Sequence, residues 1–130
     1  MNRILRKLRT DTSGNALAIF AAALVPLTVV IGSGLDLSSA YMAKAKLQNA
    51  CDAAALAGRQ SMDGTKWTTA NKEEAEKFFY FNFPRGTMKA TWLDFDIGKD
   101  PNDSAQIIGT ARAIVPTSLM GLFGFEGIPI

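Results

Sequence analysis

Apolar and polar positions alternate in three different ways along this chain, and each pattern predicts a different element. From Thr12 through Leu35 there are 24 residues without a charge, longer than the apolar stripe of a soluble core helix. A helix of about 20 to 22 residues rises roughly 30 Å, the thickness of a bilayer's hydrocarbon core. The run therefore predicts a transmembrane helix over residues 14–35, opening at Gly14. Pro26 removes one intrahelical hydrogen bond and is expected to kink it, which membrane helices tolerate. Gly32 and Gly34 loosen the end of the span or let a partner helix approach closely. The rival is a cleavable secretory signal, but the apolar stretch exceeds the roughly 7 to 15 residues usual for one.

Beyond the span the period becomes that of an amphipathic helix. Ala40, Ala43, Leu47, Ala50, Ala54 and Ala57 recur at alternating spacings of three and four, one seam of a helix over residues 36–59. Leu37, Cys51 and Leu56 widen the stripe, and Gly58 is the expected stop. So many alanines bury little area per contact but let an opposing surface come very close. That surface is first of all the chain's own sheet; neighbouring subunits are the sharper alternative.

Residues 60–130 are expected to form an exported α+β head. "NKEEAEKFFYFNF" reads as a second, short helix capped by Asn71, with Glu74 in the capping-box position. Phe78, Phe79, Tyr80, Phe81 and Phe83 cannot all be exposed, so some enter the core, and any left outside would form a docking surface. Pro84, Arg85 and Gly86 form a turn. Thr87 to Ile97 alternates, with Thr91, Leu93, Phe95 and Ile97 on one face. Ala105 to Val115 alternates likewise, and the pair predicts an antiparallel hairpin. The loop "GKDPNDS" resembles a calcium loop only at its first positions; it has Ala105 where glycine is required and Ala111 where glutamate is, so it reads as a polar turn. A cap at Thr117 or Ser118, a short helix from Leu119 to Phe123 ended by Gly124, and a strand at Ile128 to Ile130 complete the pattern. The fold class is α+β and pilin-like: a long N-terminal helix, a second short helix and a small antiparallel sheet.

Charge orients this arrangement. Arg3, Arg6, Lys7 and Arg9 against Asp11 make residues 1–13 a basic stub, while the rest of the 130-residue chain is nearly neutral. A basic flank before an apolar run stays cytoplasmic, so the head lies across the membrane. A basic tip on a neutral body also speaks against nucleic acid as a partner.

Candidate chemistry is sparse. The chain has no histidine, which excludes Ser-His-Asp and Cys-His catalysis and histidine metal sites. Its single cysteine, Cys51, reads as a small buried residue. Asp94 and Asp96 share a strand face, yet a solvated surface explains them more simply than acid–base work. No catalytic, metal or cofactor site is expected, and no enzyme.

The stretch "GNALAIFAAALVPLTVVIGSGLDLSSAYMAKAKLQNACDAAALAG" resembles the N-terminal module of Tad-type (Flp) pilus-assembly proteins, the TadG-like branch. The resemblance is carried by Gly14, Pro26, Asp36, Tyr41, Leu47, Gln48 and the run Asp52 to Ala57, over about a third of the chain. It implies a structural, minor pilin-like component of a pilus machine, in the bacterial inner membrane, with a periplasmic head and an association with the pilus. Membrane lipid and other pilus-assembly proteins are the implied partners, met through helix packing, with a homo-oligomer as a further arrangement. Prepilins of this system usually carry a glutamate five residues after the glycine at which they are cut. Here that place is Ile19, which favours an uncut TadG-like protein over a processed pseudopilin in the filament. A secreted binding module freed by signal removal is the remaining alternative. Many TadG-like proteins carry a further domain of von Willebrand A type; this chain ends at Ile130 without one, so that domain's adhesive role is not carried over. The apolar ending reads as a minimal or a truncated family member.

Overall fold

The structure, a computed structural model, describes residues 13–130. The charged residues of the expected basic stub lie outside them. One helix, α1 (Ser13–Ser61), runs unbroken for 49 residues, through Pro26 and past Gly58, a length of about 73 Å at 1.5 Å per residue. Neither residue interrupts it. A Cβ on Gly58 would meet the Trp67 ring at 3.0 Å and the Ala75 Cβ at 3.2 Å, so this glycine admits a close neighbour and does not end the helix.

The second helix, α2 (Thr69–Asn82), folds back against α1. Its cap is Thr68, not Asn71. The Thr68 hydroxyl accepts from the Asn71 amide, and the Asn71 side chain accepts from the Thr68 amide at 2.8 Å. Asn71 Nδ2 also donates to the Ser61 carbonyl at 2.7 Å and to the Ser61 hydroxyl at 3.0 Å. One buried asparagine thus starts α2 and ties it to the end of α1. Replacing Thr68 with alanine is expected to cost about 1 kcal/mol, measurable as a lower thermal midpoint of the chain in detergent.

Three antiparallel strands follow: β1 (Thr91–Lys99), β2 (Ile107–Pro116) and β3 (Gly127–Pro129), in the order β1-β2-β3. Phe95 stands opposite Ala111 and Ile97 opposite Gly109, so one face of the hairpin turns inward. The fold is α+β, as the alternating patterns predict. The first strand starts later than its alternation suggests. Thr87–Lys89 is a tight turn following Gly86, which sits at φ 83°, and Met88 and Lys89 both take positive φ. The last segment forms one turn of 3-10 helix, Met120–Phe123, closed by Gly124 at φ 89°.

The core is a sandwich of the α1 seam, the inner face of α2 and the hairpin. Leu47, Ala50 and Ala54 meet Ala75, Phe79 and Phe83 from α2 and its end, and Ile97 and Ala113 from the sheet. Phe79 stacks on Phe95 with centroids 3.7 Å apart and planes 6° from parallel, and meets Tyr80 edge-on.

Candidate functional site

The long helix divides into two halves that differ in what covers them. From Gly14 to Thr28 every residue of α1 is exposed, including Leu17, Ile19, Phe20, Leu24, Val25 and Leu27. Among the described residues this is the single helix long and apolar enough to cross a membrane. Cover begins at Val29 and Gly32 and continues along one line. Ala40, Ala43, Leu47, Ala50, Ala54 and Ala57 are all buried. Of the glycines in the apolar run, Gly14 and Gly34 face open space, whereas Gly32 is pressed by Leu119: a Cβ there would come within 2.6 Å of the Leu119 Cβ. Pro26 is exposed. The alanine seam is occupied by the chain's own α2 and β2, so a partner helix finds no free surface there.

Strand β2 delivers the cover. Ile107 lies beside Ala55 to Gln60, Gly109 approaches the Cys51 carbonyl, and Leu119 reaches Gly32. The ten residues of β2 span about 33 Å, most of the roughly 38 Å that α1 rises from Gly32 to Ala57. Thr117 and Ser118 cover the remainder. The strand is therefore long enough to run back along α1 and place its end against the foot of the head.

At that point stands Asp36, the first charge after the apolar run and one of the residues that carry the family resemblance. It is 6% exposed. Its Oδ1 accepts from the Ser118 amide at 2.8 Å; its Oδ2 accepts from Leu119 at 3.0 Å and Met120 at 2.7 Å. A carboxylate with two oxygens satisfies three amides that open the Met120–Phe123 turn, a cap supplied from 82 to 84 residues away in the chain. The expected cap residues do other work: the Thr117 hydroxyl donates to the Phe125 carbonyl, and the Ser118 amide is one of the three donors to Asp36. Hydrogen bonds from Met120 and Ser118, and a smaller one from Leu119, pull the Asp36 pKa below its ordinary 3.8 against the upward push of desolvation. Asp36 also lies four residues before Ala40, on the same seam, and that spacing is the signal that could have found it.

Among the described residues the remaining carboxylates lie on the surface of the chain. Asp96 pairs with Lys72 at 3.3 Å on an exposed surface, and Asp94 stands opposite Arg112 in the register. Among the described residues no group of acidic or cysteine side chains could hold a metal. Half-buried Cys51 lines an open groove of about 630 Å³ with Lys44, Gln48 and Arg112. Burial, and after it the neighbouring Asp52, pushes its thiol up to about 11 from 9.0. The folded chain should therefore alkylate slowly with iodoacetamide at pH 8 to 9 and quickly once unfolded. Because the folded pKa is the higher one, the associated stability is complete below pH 9.0 and is lost as pH rises through about 11. Two rings of the aromatic cluster, Phe79 and Phe83, are buried; Phe78 and Phe81 remain exposed beside Glu74 and Lys77.

A long helix with an uncovered apolar foot and a small head of helix and antiparallel sheet packed on its far half is an α+β architecture. Residues 14–63 match the family model of putative Flp pilus-assembly TadE/G-like proteins. The match takes in α1 from Gly14 and stops two residues beyond its end, so over this stretch the chain is similar to that family. No curated protein and no solved structure matches the chain.

Proposed function

We propose that this protein is a membrane-anchored accessory component, minor pilin-like in organisation, of a Tad/Flp pilus machine. Residues 14–35 form the span, residues 36–59 its extension, and residues 60–130 the head. The basic residues 1–13 stay on the cytoplasmic side of the inner membrane and the head is periplasmic. The observation that carries this reading is the change of cover along α1. Large apolar side chains stand exposed on every side from Leu17 to Leu27, and head residues pack on the same helix from Gly32 onward. In water such a foot would be an aggregation surface; in lipid it is an anchor. The work is structural. With the seam occupied, pilus partners would be met through other surfaces: the remaining sides of α1, where Leu37, Tyr41, Met42 and Leu56 are exposed, and the head's exposed Phe78 and Phe81.

The test is the intact mass of the chain recovered from bacterial membranes after carbonate washing. An uncut chain resistant to the wash supports the anchored component. Loss of residues through Gly14 would favour a processed filament subunit despite Ile19. Loss of the whole apolar run would make it a signal and overturn both.

A further inference from the structure

We propose that the segment Thr117–Phe125 is a membrane-interface wedge that places Leu122, Phe123 and Phe125 in the headgroup–acyl boundary beside the span. The inference rests on the anchored reading of α1. Its first support is depth. Leu119 packs on Gly32, and a cleft of about 50 Å³ is lined by Val29 and Ser33 of α1 with Met120, Phe123 and Phe125 facing them. Val29 lies six residues before Leu35, roughly 9 Å along the helix axis. Interfacial apolar segments sit about 5–10 Å into the boundary, so the head reaches down to that level with this segment.

The second support is composition. No charge occurs from Ala113 through Phe125, and the side chains turned outward are large and apolar: Leu122 is 77% exposed, Phe125 62% and Phe123 51%. Phe78 and Phe81 offer the contrast, since Glu74 and Lys77 stand among them.

The third support is the backbone. Irregular chain at membrane depth is tolerated only when its amides find partners within the protein. Asp36 takes the amides of Ser118, Leu119 and Met120. Leu122 donates to the Leu119 carbonyl, Gly124 to Gly121, Phe125 to Met120 and Thr117 to Glu126. At least seven of the nine amides from Thr117 to Phe125 thus find partners inside the protein. The Asp36 carboxylate therefore has a second role: it removes three amides from competition with water just where the chain enters the boundary. Lipid is the occupant that this depth, composition and backbone fit together.

The test places a nitroxide on the full chain in phosphatidylcholine–phosphatidylglycerol vesicles, one label at a time, in a Cys51→Ala background. Leu122→Cys probes the wedge, Val25→Cys the span and Phe81→Cys the water-facing head; all three sites are exposed. Collision with oxygen reports lipid and collision with a soluble nickel chelate reports water. The expected result is a Leu122 label open to oxygen and several-fold less accessible to nickel than the Phe81 label, resembling Val25. A lipid-like Val25 with a water-like Leu122 overturns the wedge and leaves the anchor standing. A Leu122 label shielded from both probes places a protein neighbour on the segment and also overturns it. A water-like Val25 removes the anchor itself, and the wedge with it.

Discussion

Truncating Phe79 to alanine is expected to cost the head about 3–5 kcal/mol, the range for emptying a fully buried aromatic site. Phe79 is completely buried, and it joins all three layers: it stands on α2, lies in one cluster with Leu47, Ala50 and Ala54 of α1, and stacks on Phe95 of β1. The stacked pair adds about 0.5–1.5 kcal/mol beyond area. The seam opposite is mostly alanine, whose short side chains have no reach to refill the space. Thermal unfolding of the full chain in detergent, followed by near-ultraviolet circular dichroism, measures the effect. A shift no larger than that of Thr68→Ala would show that the three layers do not share this core. The apolar foot of α1 makes no contribution to the cluster, so membrane partitioning should survive the substitution.

Replacing Asp36 with alanine should release the segment from Ser118 to Phe125 while leaving that core intact. Three amides lose their acceptor at once, and Leu119 loses its hold above Gly32. Hydrogen exchange at Ser118, Leu119 and Met120 should rise toward the unprotected rate, while the amides of the central hairpin stay protected. Asparagine is expected to rescue only partly, because its amide nitrogen presents hydrogens where one carboxylate oxygen accepts them. The same contact sets an acid limit. Its folded pKa lies below the ordinary 3.8, so its contribution is present above pH 3.8 and disappears as pH falls through the lowered folded value. Protection factors at these three amides, corrected for intrinsic exchange, should therefore be unchanged at pH 5. Release at pH 5 would show that the carboxylate is not the group holding the segment.

Much of this architecture is visible in residue spacing. The three-and-four alternation from Ala40 to Ala57 marks the buried line of α1, because a helix brings those positions onto one side whatever covers them. The alternation of Leu93, Phe95 and Ile97 likewise marks the inner face of β1. Where local signals compete, the pattern misleads. The alternation beginning at Thr87 yields to the turn after Gly86, whose left-handed backbone at Met88 and Lys89 cannot continue a strand. Asn71 has a cap residue's chemistry, but Thr68 also has it and stands three positions earlier. Gly58 looks like a helix stop, and only the Trp67 ring packed over it shows its use. The role of Asp36 leaves the faintest trace in the sequence, because its partners lie more than 80 residues away and are backbone amides, which almost any residue type supplies.

The head is fastened to α1 at both ends, by Asn71 on Ser61 and by Asp36 on the segment from Ser118. These two fasteners are 25 residues apart, about 38 Å along the helix, with the packed core between them. With α1 anchored as proposed, head and helix form one lever with its fulcrum at the bilayer surface. Transmembrane helices change tilt with bilayer thickness and with their neighbours. A tilt of about 10° in the span would carry the level of Ser61 sideways by about 7 Å over that length. A rearrangement among membrane components could in this way be felt at the tip of the head without any change inside it.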